Sequence, residues 1–335
     1  MIPRNVTVFT FPAQTVAGWF QDQEARTDGS FAVQPPSAAA ALHEARLRPV
    51  GPLELTSQGF VPPLGDHAPA EQDDAPGTSL FRRVGDCVWI TVGTQQKLLP
   101  SSVVNAQLAE KLAEVERREG RRVGGRARRR MRDDLVHALL PQALVKPGRI
   151  DAWLDLRRGL LLVDTPSRRR AEVVAMELRI AFGSFPALPV NCEVAPRATL
   201  TSWLVEGAGP FWDFNRLPLL SIGDCAHLAD PADHGGTVRI ADQELRGDEV
   251  ASHLQAGKQV TRLRITLDDS LQADIGDDMV VRRLRLLEGA TAALEGQERD
   301  DMAAELDARF ALASGLVGLL CDALAEAFRW SKVEG

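Results

Sequence analysis

Residues 117–132, RREGRRVGGRARRRMR, hold nine arginines and one glutamate, a local charge of +8 in a chain of 335 residues whose formal total is −7. The other 319 residues therefore sum to −15. Like charges packed this densely repel at roughly 1 kcal/mol per close pair in water, so no fold can bury the segment without a counter-charge. One resolution is local, an exposed helical face paired with Glu110, Glu114, Glu116, Asp133 and Asp134. Those acids are too few for the segment's charge, and it reads instead as a contact for a polyanion. Guanidinium groups present planar bidentate donors to phosphate oxygens, and counterion release adds affinity.

The rest of the composition narrows the partner. Aromatics are 5% of the chain and tyrosine is absent, so a base-stacking platform for single strands lacks material. Trp89 and Trp153 lie in apolar runs and read as core. The mode that remains is contact with the backbone of duplex DNA, without base reading. At 44% hydrophobic and 25% charged the chain can bury a core, and its length suggests two or three domains. Cys87, Cys192, Cys225 and Cys321 are far apart with no CxxC pair, which suits a reducing compartment. The start, MIPRNVTVFTF, lacks a signal-peptide core. No apolar run reaches the ~18 residues of a membrane span. The expectation is a soluble intracellular protein without a membrane partner.

Periodicity places the elements. Val6–Phe11 and Cys87–Gly93 read as strands, with a short helix near Ala38–Arg46 inside an irregular stretch at 21–50 and a polar loop at 66–78. Pro100 opens a helix with Leu108, Leu112 and Val115 on one face, and Gly120, Gly124 and Gly125 bend or interrupt it. A second helix is expected over Arg132–Leu140. A strand pair follows at Ala152–Leu156 and Gly159–Asp164, then a helix over Ser167–Phe182 and a Pro-rich boundary at Pro186–Pro196. Gln259–Leu267 alternates, with Leu263, Ile265 and Leu267 on one face and Arg262 and Arg264 on the other, and Leu271–Ile275 and Val280–Leu287 complete a meander that places Arg283 and Arg285 on one face. The final helix carries Met302, Leu306, Phe310, Leu316, Leu320 and Leu324 as its apolar stripe.

Catalytic signatures are sparse. The sequence has no Walker A motif, no GxGxxG after a strand, no GxSxG elbow and no HExxH. His227 and His234 flank Asp230 and Asp233, which reads as a polar loop rather than a metal site. Paired aspartates at 73–74, 133–134, 268–269, 277–278 and 300–301 leave an enzyme alternative, a metal-dependent DNA exonuclease using an Asp cluster. Adjacent aspartates point in different directions, and most of these pairs read as turns or helix starts.

Six segments occur in a telling order: GFVPPLG (Gly59–Gly65), KLLPSSVV (Lys97–Val104), DDLVHALLP (Asp133–Pro141), AWLDLRRGLLLVD (Ala152–Asp164), LTSWL (Leu200–Leu204) and HLQAGKQVTRL (His253–Leu263). Together they resemble the recombination-associated RdgC family of proteobacteria, over nearly the whole chain.

The resemblance implies an α+β fold with antiparallel sheets, flanking helices and a helical arm, in which a horseshoe-shaped monomer closes with a second copy into a ring. It implies a central domain of residues 1–98 and 142–190, an arm at 99–141 and a base domain at 191–335. Duplex DNA passes through the ring without marked sequence preference, and strand exchange driven by RecA is restrained. No catalysis and no cofactor follow, although the family has been labelled an exonuclease. The location implied is cytoplasmic and nucleoid-associated. Carried over residue by residue, Lys97, Lys258 and Arg239 become DNA contacts beside Arg117, Arg118, Arg121, Arg122, Arg126, Arg128, Arg129 and Arg130 of the arm. Gln142, Leu144 and Gln243 become dimer contacts. At Gln142 and Leu144 relatives can carry Arg and Phe, and at Asp242 a Lys.

Overall fold

Short runs of alternating apolar residues generate two antiparallel sheets, and the chain is an α+β protein. The computed structural model describes residues 2–20, 37–65, 79–206, 220–232, 236–295 and 302–331. Most of the irregular stretch (21–36), the loop at 66–78 with Asp73 and Asp74, and Asp233, His234, Asp300 and Asp301 lie outside these residues.

The first sheet comprises β1 (Thr7–Thr10), β2 (Thr56–Val61), β3 (Phe81–Val84), β4 (Cys87–Leu98), β5 (Leu144–Asp155), β6 (Leu160–Val163) and β7 (Leu188–Pro189). Its order is β2-β4-β5-β6-β1-β7, with β3 pairing the start of β4. The second comprises β8 (Leu220–Ala229), β9 (Thr237–Ala241), β10 (Gln259–Leu267), β11 (Leu271–Gly276) and β12 (Val281–Leu286), in the order β12-β11-β10-β8-β9. The helices are α1 (Ala13–Ala17), α2 (Ala38–Glu44), α3 (Ser101–Glu119), α4 (Gly125–Leu139), α5 (Arg168–Phe182), α6 (Pro196–Glu206), α7 (Asp248–Gln255), α8 (Glu288–Glu295) and α9 (Met302–Phe328).

The period of two along β4 and β5 sends their side chains into two different cores. Val88, Ile90, Ala152 and Leu154 pack with Val174 and Leu178 of α5 and Leu42 of α2. Trp89 and Trp153 turn the other way, where Phe310 of α9 stacks on Trp89 at 5.4 Å and meets Trp153 edge-on at 6.3 Å. That second core runs on without a break into Leu263, Ile265 and Ile275 of the five-stranded sheet. Val6 and Val281 exchange backbone hydrogen bonds of 2.8 and 3.0 Å, joining the sheets directly. Two bidentate pairs fix α9 along the first sheet: Arg82 to Asp307 at 2.9 and 2.5 Å, and Arg158 to Asp322 at 2.9 and 2.8 Å. By length and apolarity α9 also suits a membrane span, but Phe310, Val317, Leu320, Leu324 and Phe328 are buried among the protein's own strands.

Several expectations need correction. Strand β4 runs to Leu98 rather than Gly93, and β5 begins at Leu144 rather than Ala152. Helix α4 begins at Gly125, seven residues before the expected Arg132. Arg283 has φ of 51° at an irregularity in the β11–β12 register, yet it and Arg285 lie exposed on either side of the buried Leu284 and reach Asp274 and Gln272 on one face, as expected. Met302 is 52% exposed and does not belong to the apolar stripe of α9.

Candidate nucleic-acid interface

Strands β4 and β5 form a ribbon of twelve consecutive pairs, from Cys87↔Asp155 to Leu98↔Leu144, about 40 Å long at the usual rise per residue. The half near the body is buried, whereas residues 144–149 are exposed. The chain between Leu98 and Leu144 folds as a hairpin of α3 and α4 on the end of this ribbon. Pro100 serves as N-cap of α3, its fixed φ of −60° leading into the first turn. The hairpin has a small core of its own: Val104, Leu108 and Leu135 are buried, with Leu99, Leu112, Met131, Val136 and Leu139 around them. This cluster is separate from both body cores.

The helix break lies inside the arginine segment. Gly120 closes α3 in the left-handed conformation with φ of 66°, its N–H bonded to the Glu116 carbonyl at 2.9 Å. Only glycine adopts this geometry without a steric penalty. The Val123 N–H donates to Glu116 Oε1 at 3.1 Å and folds the turn back. Gly124 then caps α4 without any side-chain acceptor. The nine arginines are thereby gathered at the far end of the arm, with Arg117 and Arg118 closing α3, Arg121 and Arg122 in the turn, and Arg126, Arg128, Arg129, Arg130 and Arg132 opening α4.

All nine are exposed. Among the described residues they make a single ion pair, Arg121 to Glu119 at 3.3 Å, with 81% of the Arg121 side chain open. The nearby acids do not neutralise the cluster, and Glu116 is spent on the turn. The helix dipoles sharpen the contrast. Arg117 and Arg118 sit at the negative end of α3, where cations are favoured. The first turn of α4 has no acidic residue, so arginines crowd its positive end beside unsatisfied backbone N–H groups, an arrangement that favours an anion.

The remaining expected contacts are scattered. Lys97 is buried, its ammonium donating to the Pro52 carbonyl at 2.5 Å, so it anchors the strand end and presents no open charge. Lys258 is half-buried at the start of β10. Arg239 is exposed on β9, at the edge of the second sheet, and Gln243 is exposed in the turn that follows. Gln142 is exposed at the root of the arm, and Leu144 beside it is 77% exposed. Leu53, Leu55, Leu98, Val103 and Val145 are also exposed at this end of the ribbon. Sequence reasoning weighed Glu116 only as one of the acids that could offset the arginines and missed its role in the turn, since nothing in the spacing reveals a side-chain-to-backbone bond across a glycine break.

Among the described residues the titratable groups elsewhere show no catalytic convergence. No group of three or more His, Cys, Asp or Glu side chains placed to hold a metal occurs among the described residues. Asp133 and Asp134 are exposed on α4, Asp268 and Asp269 form the β10–β11 turn, and Asp277 and Asp278 pair with Arg197 and Arg282 at 2.6 and 2.5 Å. Burial pushes the Cys87 thiol up to about 11, with Asp155 adding to the effect, and burial pushes Cys192 up to about 11 as well. Neither is a ready nucleophile near neutral pH.

The chain matches known proteins over its full length. Residues 19–331 match the family described as "Putative exonuclease, RdgC". The "Recombination-associated protein RdgC" of Xanthomonas campestris pv. campestris (strain B100) is 46% identical over 334 residues, 100% of each chain. Proteins of the same description from Xanthomonas oryzae pv. oryzae (strain MAFF 311018) and Stenotrophomonas maltophilia (strain R551-3) are 45% and 43% identical, again over 100% of each chain. On this match, and on the α+β architecture described above, the chain belongs to the RdgC family of recombination-associated proteins.

Proposed function

We propose that this chain is a non-catalytic protein that binds duplex DNA through its phosphate backbone, closes with a second copy into a ring around it, and restrains RecA-dependent recombination by occupying the DNA. The observation that carries the reading is the arm tip: nine exposed arginines, one ion pair, and a helix N-terminus with no acid of its own. Phosphate contacts suffice for such binding, because a ring needs no base readout to stay on its substrate.

Self-association draws support from the exposed apolar side chains at the arm's root, where Leu144, Val145, Leu98, Leu53 and Leu55 offer a surface for a second copy next to Gln142. A two-fold ring must close at a further contact, for which Gln243 in the β9 turn is the candidate. Arg239 and Lys258 add charge on the second sheet. The cytoplasm, on the nucleoid, is the location this reading implies.

The exonuclease alternative takes its support from the description of the family. Solution mass, retention on unrelated duplexes and an end-labelled duplex incubated with Mg²⁺ or Mn²⁺ separate the two readings. A dimer with similar affinity for every sequence and an intact label is expected. Degradation that an Asp→Ala change removes would establish the enzyme instead.

A further inference from the structure

The outer face of the five-stranded sheet carries two neighbouring rows of charge with opposite bookkeeping. In one, Arg264 lies between two carboxylates, reaching Asp274 at 2.8 Å and Asp224 at 3.0 Å, while Arg283 approaches the other Asp274 oxygen at 3.6 Å. Gly223 leaves the space over which the Arg264 side chain runs, its absent Cβ falling 2.7 Å from Arg264 Cγ. This row is compensated within the fold.

The adjacent row is not. Arg239, His227 and Arg262 are direct cross-strand neighbours on β9, β8 and β10. They share the outer face, since Ala226, Ile240 and Leu263 beside them turn into the core. Neither Arg239 nor Arg262 makes an ion pair or side-chain hydrogen bond among the described residues. The row ends at Gly276 opposite Arg262, where the Asp278–Arg282 pair fills the space a side chain would take. Asp278 is thus engaged by Arg282 at 2.5 and 2.8 Å, and Asp274 by Arg264. Among the described residues His227 Nε2 is buried and has no hydrogen-bond partner. Like charges placed opposite one another destabilise a sheet, and the nearest carboxylates, Asp274 and Asp278, are shared with Arg264 and Arg282 and offset the row only in part.

We propose that Arg239, His227 and Arg262 form a second phosphate-binding row, which takes the backbone of the same nucleic acid that the arm grips. The inference rests on the DNA-binding reading, which already counts Arg239, and joins His227 and Arg262 to it as one site. Two guanidinium groups flanking an imidazole fit successive phosphates or a single bidentate one. The ring's proton equilibrium supports the assignment. Burial first, then Arg262 and Arg239, and least of all Arg283, hold His227 below its ordinary value against the pull of Asp274. A phosphate seated on the row reverses that balance and favours the imidazolium.

The test measures affinity for a labelled duplex across a salt series, with wild type, Arg239→Gln, Arg262→Gln, the double variant and Arg262→Lys, alongside NMR titration of the His227 ring with and without DNA. Each Gln variant should make the log–log salt slope shallower by about 0.9, Arg262→Lys should keep it, and DNA should raise the His227 pKa. Arg239 is exposed at a sheet edge, so its variant folds even where Arg262→Gln does not. An unchanged slope and an unmoved His227 pKa, while arm charge reversal still abolishes binding, would overturn the row and leave the arm reading standing. Failure of the wild type to retain duplex at low salt would overturn both.

Discussion

Glu116 and Val123 meet across the glycine break of the arm, the Val123 N–H donating to Glu116 Oε1 at 3.1 Å. An acid inside the most basic segment of the chain is used to fold a turn rather than to cancel charge. Glu116→Ala should cost the tip about 1 kcal/mol, the usual scale for a side chain that satisfies a backbone donor. The hairpin core of Val104, Leu108 and Leu135 is untouched, so the global unfolding midpoint should hold while amide exchange at Val123 accelerates.

Phe310 joins the two sheets through Trp89 and Trp153. Phe310→Ala should destabilise the protein by about 3–5 kcal/mol, as large cavities in buried cores do. Denaturant unfolding followed by tryptophan fluorescence measures it directly, since both indoles report on the site.

These sites differ in how far the sequence revealed them. The alternation of Leu263, Ile265 and Leu267 with Arg262, Arg264 and Thr266 marks β10, because the first three are buried and the others are not, although a register shift before Arg262 puts Val260 among the buried residues. Residues 144–149 carry no such pattern, since both faces of the ribbon are exposed there, and so β5 reads as starting eight residues late. The same holds for α4: Arg126 to Arg130 offer no apolar period, and the helix becomes visible only where Leu135 and Leu139 begin to pack. Composition alone disclosed the arm's charge. The uncompensated row on β8, β9 and β10 depends on register between strands distant in sequence, which no local pattern encodes.

His227 gives the protein an acid-side sensitivity. Its folded pKa is lowered from 6.5, chiefly by burial and then by Arg262 and Arg239. The unfolded chain therefore takes up a proton near pH 6.5 that the folded chain refuses, and stability falls as pH drops below that value toward the folded pKa. The loss of melting temperature between neutral and mildly acidic buffer should be smaller in His227→Gln than in the wild type.

Leu144 is 77% exposed, so its replacement by a charge leaves the monomer's core intact. Under the proposed ring, Leu144→Glu should shift the solution mass from dimer toward monomer without lowering the unfolding midpoint of the isolated chain. Light scattering over a concentration series reads both species.

The central claim is that the arm's arginines grip a phosphate backbone, and the salt dependence of duplex affinity tests it most directly. With about six phosphates neutralised, log K should fall with log salt at a slope near −5, about 10³-fold between 50 and 200 mM. Reversing Arg121, Arg122 and Arg128–Arg130 to Glu should abolish binding with no loss of stability, because exposed and largely unpaired charges hold nothing in the fold. A shallow slope, or one the reversal leaves unchanged, would contradict the account.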